Sequence, residues 1–519
     1  MGNNDLVPLG EIYFGKLDAY SEFLEYGKDK YQDLFYASPS FHVEKFLEGK
    51  SYYIHGDKGV GKTALLKHIE IVAISSKNLV EYIRFKKEID EEERNALKRA
   101  GIPQNTFEEV IDKTIPDDVG ISCVYAWQVY IIKCIVNRIC REETAFFVES
   151  DEWNKLKKLI KSAYKNDVSP VKKILPKIKR GTLKLEISDC VELGADFEWE
   201  NNGEKTVSFS VYAKKVIELF GKLKKADQRK LYILFDELEL VYFRKKSYLR
   251  DTALIRDLIQ AIYYINEISK EKGYSVFAIA CIRNEVYRSV AAIGYELNKL
   301  ILDYGIEVSW LQSGGSTYDN PLIKMLINRL INSQPIEKRN ISESDIWLSY
   351  FDEFVNINYP NQTSMNYVLD QTWNKPRDVI RLFTLIQQKY EGYTRISNVC
   401  FESVRKQYSQ AAWEEFSNEL SAKYSPEEID GIKQVLIGIG TTFSLEDFSK
   451  KINEKAKHFK SVSILQEKRL AAEILQDIYQ VGIIGTERKW KRFSFKGDQD
   501  FDSTASCIIH YPLRRFFSI

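Results

Sequence analysis

The sequence predicts an α/β core on a parallel five-stranded sheet, interrupted by a long insertion and followed by an all-helical segment and a smaller terminal domain. Five short apolar or aromatic runs carry that expectation: SYYIH (51–55), LVEYIRF (79–85), LYILF (231–235), SVFAIACI (275–282) and IEVSWL (306–311). Each has the length and composition of a buried strand. Helical patterns stand between them, with Leu65, Leu66, Ile69, Val72 and Ala73 after the first run and further patterns at 252–269 and 286–301. Strands that alternate with helices favour a parallel sheet covered on both faces. The chain is long enough for this, since 519 residues correspond to three or four domains at about 150 residues each.

In chain order, residues 1–45 read as an N-terminal helical segment and 46–315 as the core. About 145 residues separate the second strand from the third, too many for a simple crossover, so an insertion is expected over about 86–215. Within it, Ile121–Ile139 is apolar but broken by Gln128, Lys133, Asn137 and Arg138. It falls short of the roughly 20 apolar residues of a membrane span and reads as a buried helix. From Lys155 to Lys184 eleven lysines and arginines face only Asp167, and TLKLEI and TVSFSVY then flank the turn signal ENNGE as hairpin strands. Residues 316–424 are helical, and 425–519 hold three helical patterns (426–437, 445–458, 463–481) and a two-stranded wing formed by KRFSFK and SCIIHY.

Seventy-five Lys and Arg against 74 Asp and Glu leave a net charge of +1, so attraction to nucleic acid or anionic lipid has to be local. Seven cysteines with no Cys-x-x-Cys pair fit reduced thiols and a cytoplasmic location. Five scattered histidines show no zinc-ligand spacing, and MGNNDLVPLG has neither the basic start of a signal peptide nor the Ser or Thr of a myristoylation motif. No structural metal, export or membrane attachment is expected.

The chemistry concentrates in a few segments. Gly56-Asp57-Lys58-Gly59-Val60-Gly61-Lys62-Thr63, with Ala64 next, fits the phosphate-loop pattern G-x-x-x-x-G-K-[ST] between a strand and a helix. Backbone N–H groups there can wrap a polyphosphate, Lys62 can reach the β and γ phosphates, and the Thr63 hydroxyl can ligate magnesium. ATP and Mg2+ are the cofactors this predicts. LYILFDE ends a buried strand in Asp236, suited to orient the metal, and Glu237, suited to polarise the attacking water; Glu239 is a rival base. Asn284, in the strand end Arg283-Asn284-Glu285, is placed to touch the γ-phosphate or the water. In Asn374-Lys375-Pro376-Arg377, proline opens a helix, and Arg377 opposes that helix's dipole, which a bound phosphate would explain. Ser313-Gly314-Gly315 resembles part of an ABC signature but follows the Asp-Glu strand instead of preceding it, and reads as a loop.

GDKGVGKT, LYILFDE, the strand end RNE and NKPRDVIRLF together resemble the AAA+ and STAND group of P-loop ATPases, within the branch similar to origin-recognition replication initiators, over roughly residues 40–519. The resemblance implies a P-loop NTPase core with the phosphate-loop strand central, an α-helical lid over 316–424, a C-terminal winged helix over 425–519, and conformations switched by ATP against ADP. NKPR looks like the group's second sensor, with Asn374 where the group carries Gly; Arg288 is a candidate arginine finger. Expected partners follow. The basic insertion, with Trp153 and Tyr164 for stacking, and the wing, with Arg488, Lys489, Lys491, Arg492 and Lys496, are the two places suited to nucleic acid. A winged helix also serves as a protein dock. The expected function is an ATP-hydrolysing switch that couples nucleotide state to DNA or a protein effector, with nucleotide-dependent homo-oligomers and an anti-phage setting among its implications. The alternative is a nucleotide-gated scaffold with negligible hydrolysis. A nuclease lacks any constellation outside the phosphate loop.

Overall fold

A computed structural model describes residues 6–89, 91–100, 123–142, 145–164, 176, 178–179, 182–185, 198–199, 205–238, 245–291, 297–311 and 314–519. The chain forms two compact units, one of Pro39–Lys58 with Lys62–Val308, the other of Met1–Ser38 with Gly59–Gly61 and Ser309–Ile519.

The first unit is built on five parallel strands: β1 (Tyr53–Gly56), β2 (Leu79–Arg84), β3 (Leu231–Leu238), β4 (Val276–Arg283) and β5 (Gly305–Glu307), in the order β2-β3-β4-β1-β5. The strand before the glycine-rich loop is therefore interior but not central. That place goes to β4, whose Ala278–Ile282 run is buried on both faces. Register decides what this sheet can do. Arg84 pairs with Asp236 across β2 and β3, and Gly56 with Arg283 across β1 and β4, so four strands end together at one edge.

Helices Lys62–Ser75 and Lys245–Lys272 follow β1 and β3. Where one helix is expected over 286–301 there are two, Asn284–Ala291 and Leu297–Tyr304. In the insertion, helix Val124–Cys140 buries most of its length, and Trp127 donates its indole N–H to Leu254 O at 2.9 Å. Helices Asp151–Ala163 and Phe209–Gly221 pack beside a four-stranded antiparallel sheet. Here the hairpin expectation needs correction. Thr182–Leu185 does pair with Lys205–Ser208, but Glu198–Trp199 takes the opposite edge of Lys205–Ser208, and the strand stops at Ser208. From Phe209 the apolar positions Tyr212, Ala213 and Val216 recur at helical spacing, and the helix wins over the β-rich SFSVY reading.

In the second unit, helix Ala19–Leu34 lies on helix Pro321–Ser333, joined by a buried Arg329–Glu22 ion pair at 2.8 Å. Helices Glu343–Tyr350, Ser364–Asp370, Pro376–Lys389 and Asn398–Leu420 continue the segment. Its last helix shares a core with the terminal domain, where Trp413, Phe416 and Leu420 pack with Ile432, Leu475 and Phe517. Trp373 donates to Gly482 O at 2.8 Å across the same seam.

The terminal domain has helices Pro426–Leu436, Leu445–Ala456, Lys460–Lys468 and Ala471–Gln480, so the pattern expected at 463–481 splits at Arg469 and Leu470. Its antiparallel sheet runs Thr442–Phe443, Ser506–Ile509, Ile484–Glu487, Lys491–Arg492. The two strands read as a wing are therefore not neighbours. Ile484–Glu487 lies between them, because Ile483 and Ile484 continue past the helix into buried strand positions. Among the described residues, no helix is long and apolar enough to cross a membrane, and Cys123, Cys134, Cys140, Cys281, Cys400 and Cys507 are free thiols.

Candidate functional site

The site begins where β1 hands the chain to helix Lys62–Ser75. Gly59 and Gly61 have φ of 87° and 94°, left-handed values that glycine adopts without a Cβ clash. Lys62 Nζ donates to Gly56 O at 2.8 Å and to Asp57 O at 2.7 Å, so the ammonium spans the loop from which its own helix grows. Burial pulls Lys62 down to about 8. A buried cation facing two neutral carbonyls lacks a full counter-charge, and an anion held by the loop would supply one.

At the neighbouring strand end, Asp236 is 3% exposed and accepts from Thr63 Oγ1 at 3.2 Å, from the Tyr82 hydroxyl at 2.6 Å and from the Glu237 N–H at 2.8 Å. Thr63 and Asp236 fit a magnesium ion. Both offer hard oxygens, and their 3.2 Å separation suits two adjacent ligands of an octahedral cation bound at about 2.0–2.1 Å. Lys67 reinforces this corner by standing 3.6 Å from the centre of the Tyr82 ring and bonding Glu70 at 2.7 Å.

Glu237 occupies a bulge. The β3–β4 ladder shifts between Phe235 and Leu238, and Glu237 takes φ 59°, a conformation that costs a non-glycine residue about 1–2 kcal/mol. Its carboxylate is not free. Arg84 donates Nε to Glu237 Oε1 at 2.9 Å and adds a second, shorter contact through Nη2 to the same oxygen. Tyr82 and Arg84 are the residues that sequence reasoning missed. Their spacing of two puts them on one face of β2, at the end adjoining Asp236 and Glu237.

Asn284, at the end of β4, joins the same edge. Its Nδ2 donates to Asp57 Oδ1 at 3.0 Å and lies 3.5 Å from Glu307 Oε1, while its Oδ1 meets His55 Nδ1 at 3.3 Å. Burial lowers the His55 pKa, against which the Asn284 bond works. Gly56, Asp57, Lys62, Thr63, Asp236, Glu237 and Asn284 thus converge within one unit. Arg288, the arginine-finger candidate, is exposed on the helix that Asn284 begins.

Arg377 belongs to the unit that also holds Gly59–Gly61, and the turn before its helix is formed as the sequence suggests. Asn374 has φ 54°, the left-handed conformation that Asn tolerates better than other side chains, and Pro376 is the first helical residue. The Arg377 side chain lies against the glycine-rich loop, 3.4–3.6 Å from where a Gly59 Cβ would stand, and its charge also has a protein partner. Arg377 Nη1 bonds Glu415 Oε1 at 3.0 Å, and Arg381 donates to the other oxygen of Glu415 and to Asp378 at 3.3 Å.

The cations assigned to nucleic acid are unequal. Arg488 pairs with Asp502 at 2.9 Å and Arg492 with Asp498 at 3.1 Å, whereas Lys489 stands over the Trp490 ring, Lys491 bonds the Tyr511 hydroxyl at 3.0 Å and Lys496 faces Phe493. In the insertion, Lys155 and Lys157 pair with Asp151 and Glu149. Trp153, expected to stack on bases, is 4% exposed in the core, and Tyr164 carries Lys133 over its ring at 4.0 Å. Lys165, Lys172, Lys173, Lys177, Arg180, the ENNGE turn, Glu239 and Ser313 lie outside the described residues.

Residues 321–417, from helix Pro321–Ser333 into helix Asn398–Leu420, match the family described as the FunZ-associated C-terminal helical domain. The comparison with curated proteins gives no match.

Proposed function

We propose that the chain is a P-loop ATPase that works as an AAA+/STAND-like switch, its nucleotide state governing attachment to DNA or a protein effector. The observation that carries this reading is the meeting of Lys62, Thr63, Asp236 and Glu237 at one sheet edge, with Thr63 bonded to Asp236 across 173 residues of chain. The match of residues 321–417 to a FunZ-associated domain supports a place in a defence system.

In this reading, Lys62 exchanges the Gly56 and Asp57 carbonyls for the β and γ phosphates, so ligand binding and loop geometry are coupled through one ammonium. Thr63 and Asp236 would hold magnesium, with Tyr82 fixing the Asp236 carboxylate for it. A magnesium ion there would neutralise charge on the phosphate oxygens. Asn284 orients Asp57 and positions the attacking water. Glu237 takes the proton of that water once it leaves Arg84.

The Arg84–Glu237 pair gives the nucleotide-gated scaffold its own support, since a base held by a guanidinium turns over slowly. ATP binding and phosphate release by the parent, Lys62→Ala and Glu237→Gln separate the cases. Lys62→Ala should lose ATP binding, and Glu237→Gln should bind ATP as the parent does while losing turnover. Undiminished ATP affinity in a folded Lys62→Ala protein sinks the phosphate-loop reading. Tight binding with no turnover in the parent selects the scaffold.

A further inference from the structure

A cavity lies in the unit that carries the terminal domain. It holds about 350 Å³ and is lined by Tyr359, Leu369, Asp370 and Thr372 from the helical segment and by Lys491, Phe493, Lys496, His510 and Tyr511 from the terminal domain. That volume falls at the small end of ligand sites, which run about 300–1,000 Å³.

Its electrostatics favour an anion. Among the described residues Lys491 and Lys496 make no ion pair, whereas Arg488 and Arg492 of the same hairpin pair with Asp502 and Asp498. Lys491 is bonded only to a neutral hydroxyl, that of Tyr511, and keeps donors for a ligand. Arg514 stands 4.2 Å from the centre of the Tyr511 ring. The one acid in the lining, Asp370, accepts from Gln362 at 2.8 Å; burial raises its pKa, and the charges of Lys496 and Lys491 oppose that rise. Glu487, Asp498 and Asp500 also belong to this domain, and Asp498 is already committed to Arg492.

Its shape and composition favour a flat aromatic group on that anion. Tyr359, Phe493 and Tyr511 supply rings, and base–aromatic stacking contributes about 1–3 kcal/mol per base. His510 is 4% exposed, held among Trp373, Phe493 and Phe495 with ring centres 4.8–5.0 Å away, and donates Nε2–H to Thr372 O at 2.9 Å. Burial lowers it to about 3, so it is neutral. Among the described residues its Nδ1 is then an acceptor without a donor, of the kind a base amino group satisfies. The hairpin that delivers Lys491 also presents Trp490, 73% exposed, as a platform for a next base along a strand.

We propose that this cavity binds a single nucleotide unit, base among the rings and phosphate on Lys491 and Lys496, supplied by a free nucleotide or by the 5′-phosphorylated end of a single strand. It is distinct from the glycine-rich loop and does not depend on the ATPase reading.

The test uses the full chain with saturating ATP and magnesium, so that the loop is filled. Fluorescence anisotropy reports binding of a 5′-phosphorylated single-stranded 12-mer, the same strand without phosphate, and a blunt duplex of that sequence. Free dCMP and inorganic phosphate serve as competitors. The phosphorylated strand should bind best, and Lys491→Ala with Lys496→Ala should weaken it about tenfold or more while lowering its salt slope by about 1.4. Lys450→Ala, on helix Leu445–Ala456 of the same domain and outside the cavity lining, should leave it within about twofold. Competition by dCMP at concentrations where phosphate fails assigns the site to a free nucleotide, and failure of both assigns it to strand ends. Tyr511→Leu, which keeps bulk and removes the ring face, should reproduce the loss if the lysine pair proves needed for folding. Equal binding of all three probes, loss confined to the duplex, or lysine and tyrosine variants that bind like the parent would each overturn the proposal.

Discussion

Arg84→Met should raise ATP turnover. The guanidinium holds Glu237 through Nε at 2.9 Å, and the two side chains are 16% and 21% exposed. Unit charges about 4 Å apart at an effective dielectric near 20 attract by about 4 kcal/mol. Solvent screening and the cost of taking both groups from water leave about 1–2 kcal/mol of net hold. If Glu237 has to leave Arg84 before it can accept a proton, that energy stands in the barrier, and its removal should speed the step about 5- to 30-fold. Methionine keeps the stem and deletes the charge, so packing along β2 changes little. The assay is phosphate release at saturating ATP, with ATP affinity measured separately by calorimetry. Turnover that is unchanged or reduced, at an ATP affinity within about twofold of the parent, would show that Arg84 positions Glu237 and does not restrain it.

Other consequences can be read from the same geometry. Because burial holds Lys62 at about 8 and a polyphosphate demands its charged form, ATP binding above that pH takes up a proton; affinity should fall with rising pH, by up to about tenfold per unit, and calorimetry in buffers of different ionisation enthalpy should reveal the uptake. No proton uptake at pH 9 would mean that Lys62 stays charged in the free protein. Tyr82→Phe removes a 2.6 Å bond to Asp236 and should raise the magnesium concentration for half-maximal turnover about 3- to 10-fold, with metal-free ATP affinity unchanged; an unshifted magnesium curve removes Tyr82 from the site. Glu415→Gln takes the charge that Arg377 and Arg381 share and should cost its unit about 2–3 kcal/mol, measured by urea unfolding; an unmoved midpoint means that those arginines are balanced elsewhere.

The parts of the fold that were legible in the sequence are those whose signal is local. LYILFD and FAIACI announce buried strands because a strand covered on both faces cannot alternate with polar residues, and both lie in the sheet interior. The glycine-rich loop is legible for a related reason. Its turn needs left-handed backbone at Gly59 and Gly61, and few residues besides glycine allow that. Asn374 follows the same rule: it departs from glycine in name while keeping the conformation glycine would take. In contrast, strand order is not local. Nothing within YIHG says that β1 lies beside β5 and leaves the centre to β4, because strand order is set by contacts between segments far apart in the chain.

Charge pairing was the least legible property, and it changes what each cation can do. Five cations between Arg488 and Lys496 look equivalent as a count, yet the fold divides them. Antiparallel pairing of Ile484–Glu487 with both Lys491–Arg492 and Ser506–Ile509 brings Asp498 to Arg492 and Asp502 to Arg488, leaving Lys491 and Lys496 beside rings and a hydroxyl. Register therefore selects which ammonium groups face a ligand and which serve the hairpin. Arg377 and Arg84 obey the same logic from opposite ends of the chain. One meets a glutamate 38 positions later, the other a glutamate 153 positions later, and in both the unpaired cation of the sequence becomes half of an ion pair in the fold. A sequence therefore identifies the groups able to carry charge, while topology assigns each its counter-charge. Of the cations named above, Lys62 faces two carbonyls, Lys491 a phenol and Lys496 a ring, and these are the ones the two proposals set against phosphate.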